Sequence, residues 1–291
     1  MKVINALCPN RTDYKNDMTE KIKLQLTNGY HVHFDQISRI LQYLLTMGSR
    51  KKIPRQEIFA TLGLSDRQVE NLISVSVGFG LVKPRTSILT PLGKIIAEKD
   101  VYFERIETLW IIHYIISSNP ECVVWYRIVN QIIPMNDLII ISDVALPYFS
   151  DLKSSFSERT LKEKLPGEIG AVLQSYVQSS LAKLNLLRQE QTGVYHRDTP
   201  VDIPLLAFLY HLLYFREMHA IAASALTIEE IKKGKNSPGM VLNLPEYVFR
   251  DLINRLHDSG LVRWEQFGDL DQVRFSEDLT PTKVLYRIYG K

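Results

Sequence analysis

At 291 residues, with 45% hydrophobic and 23% charged side chains, the chain has length for two or three domains and apolar content to fill their cores, which excludes a disordered protein. Its net charge of +3 excludes a uniformly basic molecule, so a nucleic-acid surface has to be a local patch. Two cysteines in unrelated contexts, Cys8 and Cys122, argue against a disulfide framework or zinc knuckle, and no apolar run reaches the ~18 residues of a membrane span, so a cytoplasmic, membrane-free protein is expected.

Residues 1–30 are polar, with turn signals at Pro9-Asn10-Arg11 and Asn28-Gly29, and read as an amino-terminal arm. His31, His33 and Asp35 alternate as ligands on one strand face would, but no further ligand stands at useful spacing; a half-buried strand entering a helix is expected, and no metal. Ile37, Ile40, Leu41, Leu44 and Leu45 then recur at helical spacing up to Gly48. Pro54 suits the first turn of a second helix that stops at Gly63. Ser65 and Gln68 form a capping box opening a third helix, about Asp66 to Phe79. Its spacing turns Val69, Ile73 and Val77 inward and Arg67, Gln68, Asn71 and Ser74 outward.

The next stretch, Gly80-Leu81-Val82-Lys83, has two relatives in Asn185-Leu186-Leu187-Arg188 and Gly260-Leu261-Val262-Arg263. Each comes after a helical pattern and precedes a polar turn, which is how the second half of a winged helix-turn-helix reads. The spacings, 105 positions from Gly80 to Asn185 and 75 from Asn185 to Gly260, are too uneven for a solenoid. The fold class expected is mainly α with short β-hairpins (α+β), as tandem winged helix-turn-helix modules joined by long helices. The expected divisions are an arm (1–30), a first winged helix (31–102), a helical hairpin plus degenerate middle winged helix (103–200) and a carboxy-terminal winged helix (201–291).

Between the first two modules, a helix within Phe103 to Ser117 is broken at Asn119-Pro120 and followed by another from Glu121 to Ile132. His113 lies in the apolar pattern with no acid or thiol beside it and reads as a core histidine. The middle module should use Asp143 to Leu152 as its second helix and Ser157 as the next N-cap, with Pro166 interrupting that helix and Thr192-Gly193 turning the hairpin. Farther on, an apolar helix runs from Ile203 to Met218, Thr227 and Glu230 make a second capping box, and Ser237-Pro238-Gly239 ends that region. Pro245 starts a helix with Val248, Leu252, Ile253 and Leu256 inward and Arg250, Asn254 and His257 outward. Acids Asp269, Asp271, Glu277 and Asp278 crowd the hairpin tipped by Phe267-Gly268-Asp269, which suits a protein partner or a second copy of the chain, as a homodimer, better than phosphate.

A DNA-reading helix-turn-helix lays the amino-terminal half of its last helix in the major groove, where Gln and Asn pair with adenine and Arg with guanine. The candidate DNA-binding residues are therefore Arg67, Gln68 and Asn71, flanked by Arg50, Lys51, Lys52 and Arg55 before and in the second helix and by Lys83 and Arg85 at the turn. Arg159, Lys162 and Lys164 form a secondary set in the middle module. The P-loop, HExxH, GxSxG and GxGxxG motifs do not occur, and Glu230-Ile231-Lys232 sits in a helical pattern where a nuclease carboxylate–lysine pair needs a strand. No enzyme, catalytic residue or cofactor is expected.

Glu107-Thr108-Leu109-Trp110-Ile111-Ile112-His113-Tyr114, Ser118-Asn119-Pro120, Val124-Trp125-Tyr126 and Asn130 resemble the central signature of bacterial domain-of-unknown-function family 4007. The likeness extends to Arg159-Thr160-Leu161-Lys162, Leu173 to Tyr176 and Ser180 to Leu187, while the family's amino-terminal pattern near His33-Phe34 is poorly kept and the chain is longer between Lys162 and Val172. Genes of that family tend to lie in DNA sulfur-modification and phage-defence clusters. The resemblance thus implies a DNA-modification or defence setting, with duplex DNA and proteins of such a complex as partners, and no known activity. The expected function is a non-enzymatic DNA-binding accessory protein; the alternatives are a winged-helix protein–protein adaptor and a transcriptional repressor or replication initiator.

Overall fold

Local capping signals set several of the helix starts in a computed structural model that describes residues 22–48, 53–200, 202–219 and 223–290. Ser65 and Gln68, and likewise Thr227 and Glu230, form the reciprocal capping bonds that their spacing predicts. Most of the described chain is helical, with small antiparallel sheets, an α+β composition. It divides into two compact units, Met1–Val201 and Asp202–Lys291.

In the first unit, α1 (Phe34–Met47) buries Phe34, Ile37, Ile40, Leu41 and Leu44, α2 (Arg55–Leu62) ends on left-handed Gly63, and α3 (Asp66–Gly78) packs against both. The inward face of α3 is Val69, Leu72, Val75 and Ser76, whereas Ile73 and Val77 are half-buried. The expected stripe is rotated because a second surface, the segment before α1, also covers this helix: Asn71, read as outward, donates to the Thr27 carbonyl at 2.8 Å. After a tight turn, α4 (Pro91–Lys99) begins at Thr90, whose hydroxyl accepts from Gly93 N–H. A Cβ on Gly93 would lie 1.9 Å from the Leu81 carbonyl oxygen, so only glycine lets α4 approach the Leu81 backbone.

The apolar α5 (Ile106–Ser117) is buried from Thr108 onward. Beyond Asn119-Pro120, α6 (Val123–Arg127) continues through a π-helical turn, Ile128–Ile132, into α7 (Ile133–Met135). A short strand, β1 (Leu138–Ile140), comes next. Asp143 to Leu152 is not the α-helix its pattern suggested: a π turn, Ile141–Ala145, passes into a 3-10 stretch, Leu146–Ser154, with Pro147 in its first turn and only Phe149 and Leu152 buried along it. The expected break at Pro166 is also absent, since α8 (Glu158–Gln178) runs straight through it. Proline leaves the Lys162 carbonyl without its helical donor, at a residue that is exposed. A 3-10 turn, Ser180–Leu184, leads to the hairpin β2 (Leu187–Gln191) and β3 (Val194–Arg197).

The second unit contains α9 (Leu205–His219), β4 (Ala225–Thr227), α10 (Ile228–Lys233), α11 (Pro238–Val241), α12 (Glu246–Asp258), the hairpin β5 (Arg263–Phe267) and β6 (Leu270–Arg274), and α13 (Pro281–Tyr289). Ser237-Pro238 opens α11, where the sequence suggested an end, because the Ser237 hydroxyl caps Met240 N–H. Phe249, outside the predicted stripe, is a buried residue of α12, and Val248 is half-buried.

The threefold recurrence has a backbone basis. Gly80, Asn185 and Gly260 all lie in the left-handed region, at φ 71°, 55° and 68°. After α3, Gly80 N–H reaches Val77 O at 3.0 Å and Leu81 N–H reaches Ser76 O at 2.8 Å; after α12, Gly260 reaches His257 at 2.9 Å and Leu261 reaches Leu256 at 3.0 Å. Beyond the left-handed residue the three copies diverge. The first makes a single bridge, Val82 to Leu89, while the others build three-stranded antiparallel sheets of matching order, β1-β3-β2 and β4-β6-β5.

An aromatic chain fills the core of the first unit. Phe79 meets Trp125 edge-on at 5.7 Å, and the Tyr176 hydroxyl accepts from Trp125 Nε1 and pairs with His113 Nδ1, each at 2.7 Å. Asn130 adds bonds from its Nδ2 to the carbonyls of Ser117 and Tyr126. The tryptophan–histidine signature is thus core architecture.

Candidate nucleic-acid interface

The segment from Leu24 to His33 frames the polar end of α3, and a buried carboxylate from α8 holds it there. Glu168 accepts from the N–H groups of Leu26 at 2.8 Å, Thr27 at 2.7 Å and Gly29 at 3.2 Å. Gly29 makes this turn possible at φ 83°. Burial pushes the Glu168 carboxyl above its ordinary range, and the N–H donors pull it partly back. Farther along α8, Ser175 Oγ accepts from Val32 N–H at 3.0 Å. Sequence reasoning missed both anchors; the available signal was a lone carboxylate in an apolar register, between Leu165 and Ile169.

A cleft of about 290 Å³ opens between this segment and α3. Tyr30, His31, His33 and Gln36 line one side, Arg67, Gln68 and Asn71 the other, and Ile37, Leu72 and Val75 contribute apolar surface. The His31 and His33 rings lie 4.3 Å apart. Burial, and then the neighbouring His33, lower the His31 pKa. Asp35 is exposed on the first turn of α1, and among the described residues no group of three or more His, Cys, Asp or Glu is placed to hold a metal.

Arg67 and Gln68 are exposed at the start of α3, although Gln68 Oε1 is occupied by the Ser65 backbone N–H at 2.8 Å. Asn71 is half-buried and its donor is used internally, which corrects its assignment as an outward base reader. Lys83 is half-buried, and Arg85 is exposed at the turn with φ 59°. Arg50, Lys51 and Lys52 lie outside the described residues, as does the Arg55 side chain; its backbone starts α2. Of the secondary set, Arg159 is ion-paired with Glu163 at 2.9 Å, while Lys162 and Lys164 are exposed.

The acidic hairpin of the second unit is partly neutralised. Asp271 accepts from Trp264 Nε1 at 2.7 Å and stands 3.6 Å from Arg250. Hydrogen bonds from Arg274 and Gln272 hold the Glu265 carboxyl down to about 2. Asp269 remains exposed at the tip, where Phe267 is 87% exposed, and Glu277 and Asp278 are exposed beyond the end of β6.

No curated protein matches the sequence. Two solved structures have a similar fold. One, "SspB crystal structure", aligns with TM-score 0.72 and 13% identity over 91% of this chain and 87% of that one. The other, "Magnesium ion-bound SspB crystal structure", aligns with TM-score 0.70 and 13% identity over 90% and 86%. At that identity the likeness is one of fold. The family model described as "Protein of unknown function (DUF4007)" matches residues 55–289. With most of its length matched, the chain belongs to the DUF4007 family of proteins of unknown function.

Proposed function

We propose that the protein is a non-enzymatic DNA-binding accessory factor of a bacterial DNA-modification or phage-defence system. Its first module docks on duplex DNA and its carboxy-terminal module holds a protein partner. The tandem winged-helix reading is supported by the left-handed residue that recurs after α3, after the 3-10 turn and after α12, and by the hairpins of matching sheet order that follow it in two of the three copies.

The observation that carries the DNA reading is the unneutralised charge at the first copy. Among the described residues, Arg67, Lys83 and Arg85 have no ion pair, whereas Arg159 and the arginines around β5 and β6 are matched by carboxylates. Arg67 at the start of α3 and Arg85 at the turn have the distribution expected of a helix in the major groove flanked by phosphate contacts. A partner-holding role for the second unit is supported by its exposed apolar groups, Phe267 and Leu270 at the hairpin tip and Tyr247 on α12.

Fluorescence anisotropy with a short labelled duplex tests the reading. Replacing Arg67, Lys83 and Arg85 together by Ala should weaken binding at least tenfold while the circular dichroism stays unchanged. Equal affinity in a folded triple variant would leave the adaptor alternative.

A further inference from the structure

We propose that the cleft beside α3 is a nucleotide-binding site that takes one nucleotide unit, its phosphate at Arg67 and the histidine pair and its base among the side-chain amides. Three features of the lining specify that chemistry. None of the described residues that line it is Asp or Glu, while Arg67 is cationic and His31 and His33 add imidazole N–H donors, so the described lining favours an anionic group over a cation. The Gln36 amide offers a paired donor and acceptor that can read the edge of a heterocycle, and Gln68 keeps its Nε2 donor. Tyr30 supplies a flat face for stacking, and Ile37, Leu72 and Val75 add aliphatic surface.

At about 290 Å³ the volume falls at the lower edge of ordinary small-molecule pockets, ~300–1,000 Å³, which suits one nucleotide and not a longer stretch of strand. The segment that closes the cleft is fastened by Glu168 and Ser175, so the site is largely preformed.

This inference goes beyond duplex docking and stands without it, although Arg67 serves both. Isothermal titration calorimetry of the full chain with the deoxynucleoside 5′-monophosphates, deoxynucleosides and inorganic phosphate tests it. The expected result is one-to-one binding of at least one monophosphate, at least tenfold tighter than phosphate or its own nucleoside. Arg67→Ala, and the pair His31→Ala with Gln36→Ala, should each weaken it at least tenfold. Gln36→Glu keeps the side chain's size, adds a repelling charge and should do the same. A strand bearing a 5′-phosphate that binds tighter than the free monophosphate identifies the source as DNA; equal affinity identifies a free nucleotide. No monophosphate binding at millimolar concentration, binding no tighter than phosphate, or binding unchanged by these substitutions overturns the proposal. Lys83→Ala with Arg85→Ala should weaken only the duplex, and His31→Ala with Gln36→Ala only the nucleotide, so the two readings fail separately.

Discussion

Tyr176 shows how much of this chain's individuality is spent on its core. Its hydroxyl accepts from Trp125 and pairs with His113, in surroundings that exclude water from all three. Tyr176→Phe keeps the ring and removes both bonds, so urea unfolding should report a loss of about 1–3 kcal/mol; an unchanged midpoint would contradict this account. His113 adds a pH dependence. Burial pushes its pKa down to about 3. The unfolded chain therefore takes up a proton near the ordinary imidazole value of ~6.5 that the folded chain refuses until far lower pH. The stability contributed by the neutral ring is complete above that value and is lost as pH falls toward 3, at up to ~1.4 kcal/mol per pH unit. Unfolding measured between pH 7 and 5 should show this slope, and His113→Gln should flatten it; identical slopes would assign the effect to other groups. The core role of His113 was legible from its apolar register, but its partner, 63 residues away, was not.

At the scale of elements, local signals were read well and distant ones poorly. The capping boxes, the three left-handed residues and the hairpin turns at Thr192-Gly193 and Gly268-Asp269 depend on neighbours in sequence, and each appears where its residues predict. Strands β1 and β4 did not, because each has three residues and pairs only with a strand far along the chain, as in Leu138 with His196 and Ala225 with Arg274. The outward assignment of Asn71 failed for the same reason, since the segment covering it is held by Glu168, about 140 positions away. Glu168→Ala should leave the Leu26, Thr27 and Gly29 amides without their acceptor. Hydrogen exchange at those amides should accelerate by an order of magnitude or more, against unchanged exchange in α5; full protection would show that the carboxylate is dispensable. Close packing makes a second prediction. Gly93→Ala would drive a methyl group into the Leu81 carbonyl, forcing α4 away from the Leu81 backbone and lowering stability by about 1–3 kcal/mol, readable as a shifted urea midpoint.

For the whole molecule, the near balance of charge matters less than where its cations lie unmatched. A net +3 spread evenly would attract nucleic acid weakly, whereas Arg67, Lys83 and Arg85 flank one helix and its following turn in the first unit. In the second unit, arginines and carboxylates are interleaved around the hairpin, leaving Phe267 and Leu270 exposed at its tip. That contrast, between the unpaired cations around α3 and the ion-paired hairpin, is the ground on which we propose DNA for the first module and protein for the last. The most direct test is the affinity of the full chain for duplex DNA between 50 and 200 mM salt. The account predicts a steep linear fall of log affinity against log salt, and a slope shallower by ~0.9 for each phosphate-contacting cation removed from Arg67, Lys83 and Arg85. An affinity indifferent to salt, or a slope those substitutions leave unchanged, would contradict it.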